Sequence, residues 1–85
     1  MIIEEINDRI EVVVNHQTRR VIPVSFNWKE RIYQVDSVQA YWKEKLSERT
    51  IEHHFSVTSG GPDTFELIYN PYDLGWRLGR VLLDG

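Results

Sequence analysis

Two short runs of alternating apolar and polar residues lie almost next to each other, and they restrict this chain more than any other feature. The runs are residues 21–28, VIPVSFNW, and residues 31–35, RIYQV. One side of the two runs is apolar: Val24, Phe26, Trp28, Tyr33 and Val35. A period of two is typical of β-strands, and only Lys29-Glu30 separates the runs. The pair predicts an antiparallel hairpin, although its turn lacks the favoured Asn-Gly sequence.

Four further segments have the β-branched or alternating residues of strands: 10–14, 51–58, 64–70 and 76–83. The first of them, IEVVV, is predicted to be a central strand. Pro23 has no N–H for a ladder, which places the start of its strand at an edge or a bulge. Gly79 predicts a bend or bulge in the last strand.

The segment between the hairpin and the run at 51–58 changes period. Its apolar residues Val38, Tyr41, Trp42 and Leu46 fall at i, i+3, i+4 and i+8, the spacing of one helix face. Asp36 is a candidate cap with Gln39 three residues later. We therefore expect a short helix near 37–47. The competing interpretation is that residues 38–42 extend the preceding strand.

These elements fit one small domain over residues 1–85. A chain of 85 residues has no room for a second core, and its 12% aromatic content suits β structure. The predicted fold is mainly β: a twisted antiparallel sheet of five or six strands with one short helix near 37–47, able to curl into a half-open barrel. Nothing in the pattern indicates βαβ units.

Composition excludes several classes of function. The chain has no cysteine, which excludes disulfides, thiolate zinc sites and cysteine nucleophiles. No signal peptide or membrane span is recognised, so we expect a cytoplasmic protein without membrane contact. The net charge of −3 argues against a dedicated DNA-binding protein, although residues 16–49 form a net basic third.

The pair His53-His54 suggests a metal site or a general base. Neighbouring strand residues point to opposite faces, so one ion cannot bind both side chains, and no further histidine has a zinc-ligand spacing. We expect His53 to be partly buried and His54 exposed. The chain also lacks a nucleophile motif such as G-x-S-x-G. We therefore predict no metal, no cofactor and no enzymatic activity.

Interleaved aromatic and basic side chains are the remaining candidates for a binding site: Trp28, Lys29, Arg31, Tyr33, Tyr41, Trp42, Lys43 and Lys45. Rings that stack on bases and cations that hold phosphates are typical of proteins that bind single strands. The alternative is that the rings are the apolar faces of paired strands, and the cations keep the turn soluble and protect an edge.

Several motifs together resemble a small uncharacterised bacterial domain family: PVSFNWKERIYQV (23–35), YWKE (41–44), FELIY (65–69) and WRLGRVLLD (76–84). The family occurs alone or as a tail on inactive relatives of Y-family translesion polymerases. Its pattern matches Phe26, Trp28, Tyr33, Val35, Trp42, Glu66, Leu67, Trp76, Leu78 and Asp84. Two departures stand out: Glu30 replaces the usual glycine, and Leu46 lies in the segment where the family has a Trp pair.

The resemblance implies a partner class, proteins that act on DNA, and no catalytic residue. We therefore expect a non-enzymatic binding module that docks onto a protein partner in a bacterial DNA-repair or replication assembly. The alternative is direct binding of single-stranded nucleic acid through the aromatic–basic hairpin. A third possibility, catalysis on a small ligand, would need a polar pocket, and His53 is its one candidate. The sequence does not decide the oligomeric state.

Overall fold

The described part of the chain folds into seven antiparallel β-strands. The computed structural model describes residues 2–17 and 20–84. The strands are β1 (Ile2–Gln17), β2 (Arg20–Trp28), β3 (Arg31–Gln34), β4 (Ser37–Lys45), β5 (Ile51–Thr58), β6 (Thr64–Asn70) and β7 (Gly75–Leu83). The mainly β, single-domain prediction is confirmed, and the strand number is seven rather than five or six. Within the described residues no helix is long and apolar enough to cross a bilayer.

The sheet has the order β3-β2-β1-β7-β6-β5-β4 and curls into a half-barrel. Its two edge strands, β3 and β4, follow each other in the chain. The two residues between them hydrogen-bond to strands on opposite sides of the sheet. The Val35 N–H donates to the Val24 carbonyl of β2 at 2.9 Å, and the Asp36 N–H donates to the Thr58 carbonyl of β5 at 2.8 Å. The two edges of the sheet are therefore linked near Val35 and Asp36, which we call the joined end of the half-barrel. They lie apart at the other end, which we call the open end.

The predicted irregularities occur where Pro and Gly stand. The register of β1 against β2 shifts between Val13 and Val14, which pairs with Pro23. The register of β6 against β7 shifts at Gly79. The β2–β3 hairpin is also present, and its turn residues Lys29 and Glu30 have φ values of 51° and 63°. Both therefore adopt the left-handed conformation that Asn-Gly would favour.

The helix predicted near 37–47 is wrong, because this segment is strand β4 over Ser37–Lys45. Residues 38–42 are extended, as in the competing interpretation, but they belong to a separate strand at the opposite edge of the sheet from β3. The physical reason is a bulge between Val38 and Ala40. Val38 pairs with Val57 and Tyr41 with Phe55, so the bulge brings two residues three positions apart onto the same face. That spacing imitates a helix face in the sequence.

The hydrophobic core lies on the concave side of the half-barrel. Its buried residues come from β1, β2, β5, β6 and β7: Ile10, Phe26, Phe55, Val57, Phe65, Leu67, Leu78 and Val81. At the joined end Phe26 of β2 meets Phe65 of β6 with ring centroids 5.4 Å apart. This contact between strands that do not pair shows how the sheet curls around its core, and it leaves the other end of the interior unfilled.

Candidate functional site

A groove of about 680 Å³ lies at the open end of the half-barrel. It runs between the start of β2 and strand β4, and β5, β6 and β7 form its floor. The lining residues are Arg20, Val21, Ile22, Val38, Gln39, Ala40, Tyr41, Lys43, His53, Phe55, Tyr69 and Trp76. The volume falls within the range of small-ligand sites, roughly 300–1,000 Å³. We call this feature the seam groove.

Four aromatic rings and one histidine line the seam groove, with Tyr41 on its β4 wall and the others on its floor. Phe55 contacts Tyr41 and Trp76 with centroid distances of 5.0 and 5.6 Å, and Tyr69 lies 4.9 Å from Trp76. The Tyr41 hydroxyl and His53 Nδ1 share a hydrogen bond of 2.6 Å. Burial, followed by the charge of nearby Lys43, lowers the pKa of His53 below its ordinary value. The groove therefore presents an aromatic surface with an imidazole whose neutral form is favoured.

Each wall of the seam groove has one side on which its backbone pairs with no other strand among residues 2–17 and 20–84. On the side away from β5, strand β4 has no neighbour in the sheet. On the side away from β1, strand β2 pairs with β3 only over Ser25–Trp28, which leaves residues 20–22 unpaired there. All nine residues of β4 are exposed. A free edge presents alternating N–H and C=O groups to any extended chain beside it.

The hairpin residues predicted to bind pack against one another at the joined end. Tyr33 stacks on Phe26 with centroids 4.9 Å apart, and the Trp28 indole N–H donates to Asp8 at 2.9 Å. Lys29 Nζ lies 5.0 Å from the centroid of the Trp28 ring, and the Arg31 guanidinium carbon lies 5.3 Å from that of Tyr33. The two cations thus lie over rings that already belong to the barrel interior.

The four predicted residues on β4 separate between the two faces of the sheet. Tyr41 and Lys43 line the seam groove. Trp42 lies on the opposite, convex face and stacks on His54 with centroids 5.2 Å apart. Lys45 is exposed and lies 3.7 Å from Glu48. The structure therefore does not bring the eight predicted residues onto one surface.

The convex face of β4–β7 carries a network of charged side chains, which we call the convex cluster: Glu44, Glu52, His54, Glu66, Arg77 and Arg80. Arg77 donates two bonds to Glu52, at 2.6 and 3.2 Å, and the Arg80 Nε–H donates to Glu66 at 2.6 Å. These hydrogen bonds raise the pKa of each arginine above its usual value.

His54 is buried at the centre of the convex cluster, which contradicts the prediction that it is exposed. Its face was predicted correctly, since His53 points to the opposite side of β5. The ring is covered because Trp42 stacks on it and long charged side chains from neighbouring strands surround it. Long charged side chains bury apolar stems and can cover much surface.

Sequence reasoning missed most of both features. Tyr69, Trp76, Val21 and Ile22 were taken as ordinary strand residues, and they line the seam groove together with Arg20. A signal for the convex cluster exists, because Glu52 and His54 alternate on one face of their strand and acidic and basic residues recur in the next two strands. Pairing those strands in register would have placed Glu66 opposite Arg80.

Comparisons with protein-family models, curated proteins and solved structures found no match to this chain. The family resemblance therefore stays a prediction from the motifs alone.

Proposed function

We propose that this domain is a non-enzymatic docking module that binds an extended segment of a partner protein in the seam groove. The observation that carries the proposal is the pair of unpaired strand edges bordering an aromatic floor. The segment would add a strand to the sheet, along β4 or residues 20–22 of β2, and so extend it across the open end. Strand addition to a free edge is a common way of recognising peptides.

The free strand edge and the aromatic residues of the groove would contribute differently to recognition. Backbone bonds to the free edge of β4 would hold any extended peptide, whatever its sequence. Side chains on one face of that peptide, at every second position, would lie over Tyr41, Phe55 and Trp76. Aromatic surfaces of this kind supply most of the energy at protein interfaces. The expected segment therefore has apolar residues at alternate positions.

Charge adds a further preference to the proposal. Two fully charged side chains line the groove among the described residues, Arg20 and Lys43, and both are positive. The neutral state favoured for His53 leaves its ring able to hydrogen-bond without adding charge. Acidic residues in the segment would pair with the two cations, which favours encounter and orientation more than affinity.

A protein segment fits the groove better than a single-stranded nucleic acid does. Nucleic-acid grooves follow a phosphate chain with a continuous row of cations, whereas this groove has two. The hairpin cations Lys29 and Arg31 lie over rings at the joined end of the barrel. A partner from a DNA-repair or replication assembly is the class that the motif resemblance implies, and it remains part of the proposal.

The test uses the whole chain and a displayed library of short random peptides. We expect enriched peptides with alternating apolar residues and acidic neighbours. On addition of such a peptide, amide shifts should change at Val21, Tyr41 and His53, and hydrogen exchange of β4 amides should slow because new backbone bonds form. Mixed-sequence single-stranded DNA is titrated in parallel at low and moderate salt.

Matched charge reversals locate the binding site. Lys43→Glu should weaken binding of an enriched acidic peptide about tenfold, a loss of about 1.4 kcal/mol, whereas Lys29→Glu at the hairpin should leave it unchanged. Peptide shifts confined to the hairpin, or equal effects of the two reversals, would contradict the proposal. Salt-sensitive shifts with DNA in the groove, without peptide binding, would replace it with the nucleic-acid alternative.

A further inference from the structure

The convex cluster contains a set of donor atoms suited to a metal ion. Glu44, Glu52 and His54 each offer one ligand atom, and the three atoms lie within 4.8 Å of one another. Glu44 and Glu52 face each other across the β4–β5 ladder, and His54 lies two residues along the same face. An imidazole nitrogen with two carboxylates is a familiar ligand set for zinc.

An unpartnered nitrogen points into this set. The His54 side chain is 5% exposed, and its Nε2 has no hydrogen-bond partner in the described part of the chain. Glu44 Oε2 lies 3.2 Å from Nε2, but the contact lacks the direction of a hydrogen bond. Buried polar atoms are nearly always paired, so an exception of this kind indicates a missing partner.

The other ring nitrogen fixes the tautomer that a metal needs. His54 Nδ1 lies 3.1 Å from Glu66 Oε1, and a carboxylate can only accept, so the proton of a neutral ring resides on Nδ1. The lone pair on Nε2 then faces Glu44 and Glu52. Arg80 holds Glu66 in place at 2.6 Å. Metal-ligating histidines usually have such a carboxylate behind them.

The two distances from His54 Nε2 to the glutamate oxygens are close to those of tetrahedral coordination. Bonds of about 2.0–2.1 Å to zinc separate neighbouring ligand atoms by about 3.3 Å. His54 Nε2 lies 3.2 Å from Glu44 Oε2 and 3.7 Å from Glu52 Oε1. Glu44 is 57% exposed, so it opens the site to solvent and can move slightly toward an ion. Arg77 donates to both oxygens of the buried Glu52, Oε1 included, and so holds the carboxylate in place.

We propose that Glu44, Glu52 and His54 bind a divalent first-row transition metal ion, with Zn²⁺ as the reference ion and water in the fourth position. The charges favour a cation, since three glutamates face two arginines around His54. The sequence prediction of no metal considered a site shared by His53 and His54, and this site uses His54 with two carboxylates. The ion would link edge strand β4 to β5.

A proton on Nε2 is the competing account, in which an imidazolium lies among the glutamates. Isothermal titration of the EDTA-treated whole chain with ZnCl₂, together with ¹⁵N NMR of the histidine rings, separates the two. We expect one ion per chain with micromolar affinity, and a shift of the His54 Nε2 signal on addition of Zn²⁺. The ring signals of His16 and His53 should not move.

Two glutamine variants are compared with the wild type. Glu44→Gln lies on an exposed edge strand and should fold, as circular dichroism will show, and it should bind Zn²⁺ at least about tenfold more weakly. His53→Gln, next to the site in sequence and on the other face, should bind as the wild type does. Absence of Zn²⁺ binding to the wild type, an unmoved His54 signal, or equal losses in both variants would overturn the proposal.

Discussion

His53 and His54 are adjacent in the sequence and lie in opposite environments. His53 belongs to the concave face, where it bonds to a tyrosine hydroxyl among aromatic rings. His54 belongs to the convex face, where three glutamates surround it. The concave face of β4–β7 is thus stabilised by ring packing and the convex face by charge pairing, although the same strands form both.

The comparison shows that the outer side of a small sheet need not be a solvated surface. Ile68 and Glu52 are buried on the convex side without a second layer of secondary structure above them. Arginine stems and the Trp42 ring take the place of that layer. The two kinds of burial differ in strength, because apolar burial grows with area, whereas ion pairs with exposed partners are screened by water.

The largest loss of stability is expected from a substitution that disrupts the ring packing on the concave face. Phe55→Ala removes a buried ring that contacts both Tyr41 and Trp76, and such substitutions cost about 3–5 kcal/mol of unfolding free energy. Urea unfolding followed by circular dichroism measures the loss. Tyr72→Ala, in an exposed loop, is the control and should change little. A cost for Phe55→Ala near that of the control would show that the rings are not the main support of this face.

A substitution that disrupts the charge pairs of the convex face should lower the unfolding free energy by a smaller amount. Glu66→Gln weakens the bonds from Arg80 and His54, and hydrogen bonds to charged groups contribute about 1.5–3 kcal/mol. Because Arg80 is partly exposed, we expect about 2 kcal/mol in the same unfolding experiment. Glu48→Gln, in the exposed pair with Lys45, should cost less than about 0.5 kcal/mol. Equal costs would mean that the convex cluster behaves as an ordinary surface.

Gly79 tests how closely the convex face is packed. A Cβ atom at this position would lie 2.5 Å from Ile68 Cδ1, so Gly79→Ala should cost about 1 kcal/mol or somewhat more by overpacking. Ile68→Val removes that carbon. In the Ile68→Val background we therefore expect Gly79→Ala to be nearly neutral, and a double-mutant cycle measures the difference. Additive costs would exclude this contact as the reason for the glycine.

The smallest expected effect comes from neighbouring residues on β4. Tyr41→Phe removes the hydroxyl bonded to His53 and should cost about 0.5 kcal/mol, because the bond is exposed. The ring ¹⁵N signals of His53 should move while those of His54 stay. Trp42→Leu should do the reverse, since Trp42 stacks on His54. If either substitution moved both histidines, the two faces would not be independent.

The strands that alternate regularly could be predicted from the sequence. The hairpin of β2 and β3 was visible because nothing interrupts its register, and Pro23 and Gly79 marked two bulges by their backbone chemistry. Strand β4 was not visible, because its bulge places Val38 and Tyr41 on one face at a helical spacing. In β4 a single bulge changes the apparent period of the segment, and no Gly or Pro marks its position.

The site was harder to predict than the fold. Aromatic residues are equally frequent in the hairpin and in β4, but Tyr33 completes the core and Tyr41 lines a groove. The difference depends on which strands lie across the half-barrel from each ring. In this chain the pairing of β1 with β7 determines that arrangement. The burial of His54 likewise depends on side chains from three other strands. Neither property is local, so no window of sequence contains it.

The strand order also has a consequence for how the chain folds. Every pairing but one joins strands that follow each other directly, so β1–β3 and β4–β7 can each form as a local meander among the described residues. The exception is β1 with β7, where Ile2 faces Leu83. Closing that pairing costs the loop entropy of almost the whole chain, and long-range contacts of this kind slow folding. We therefore expect the two meanders to form quickly and the pairing of β1 with β7 to limit the folding rate of the whole domain.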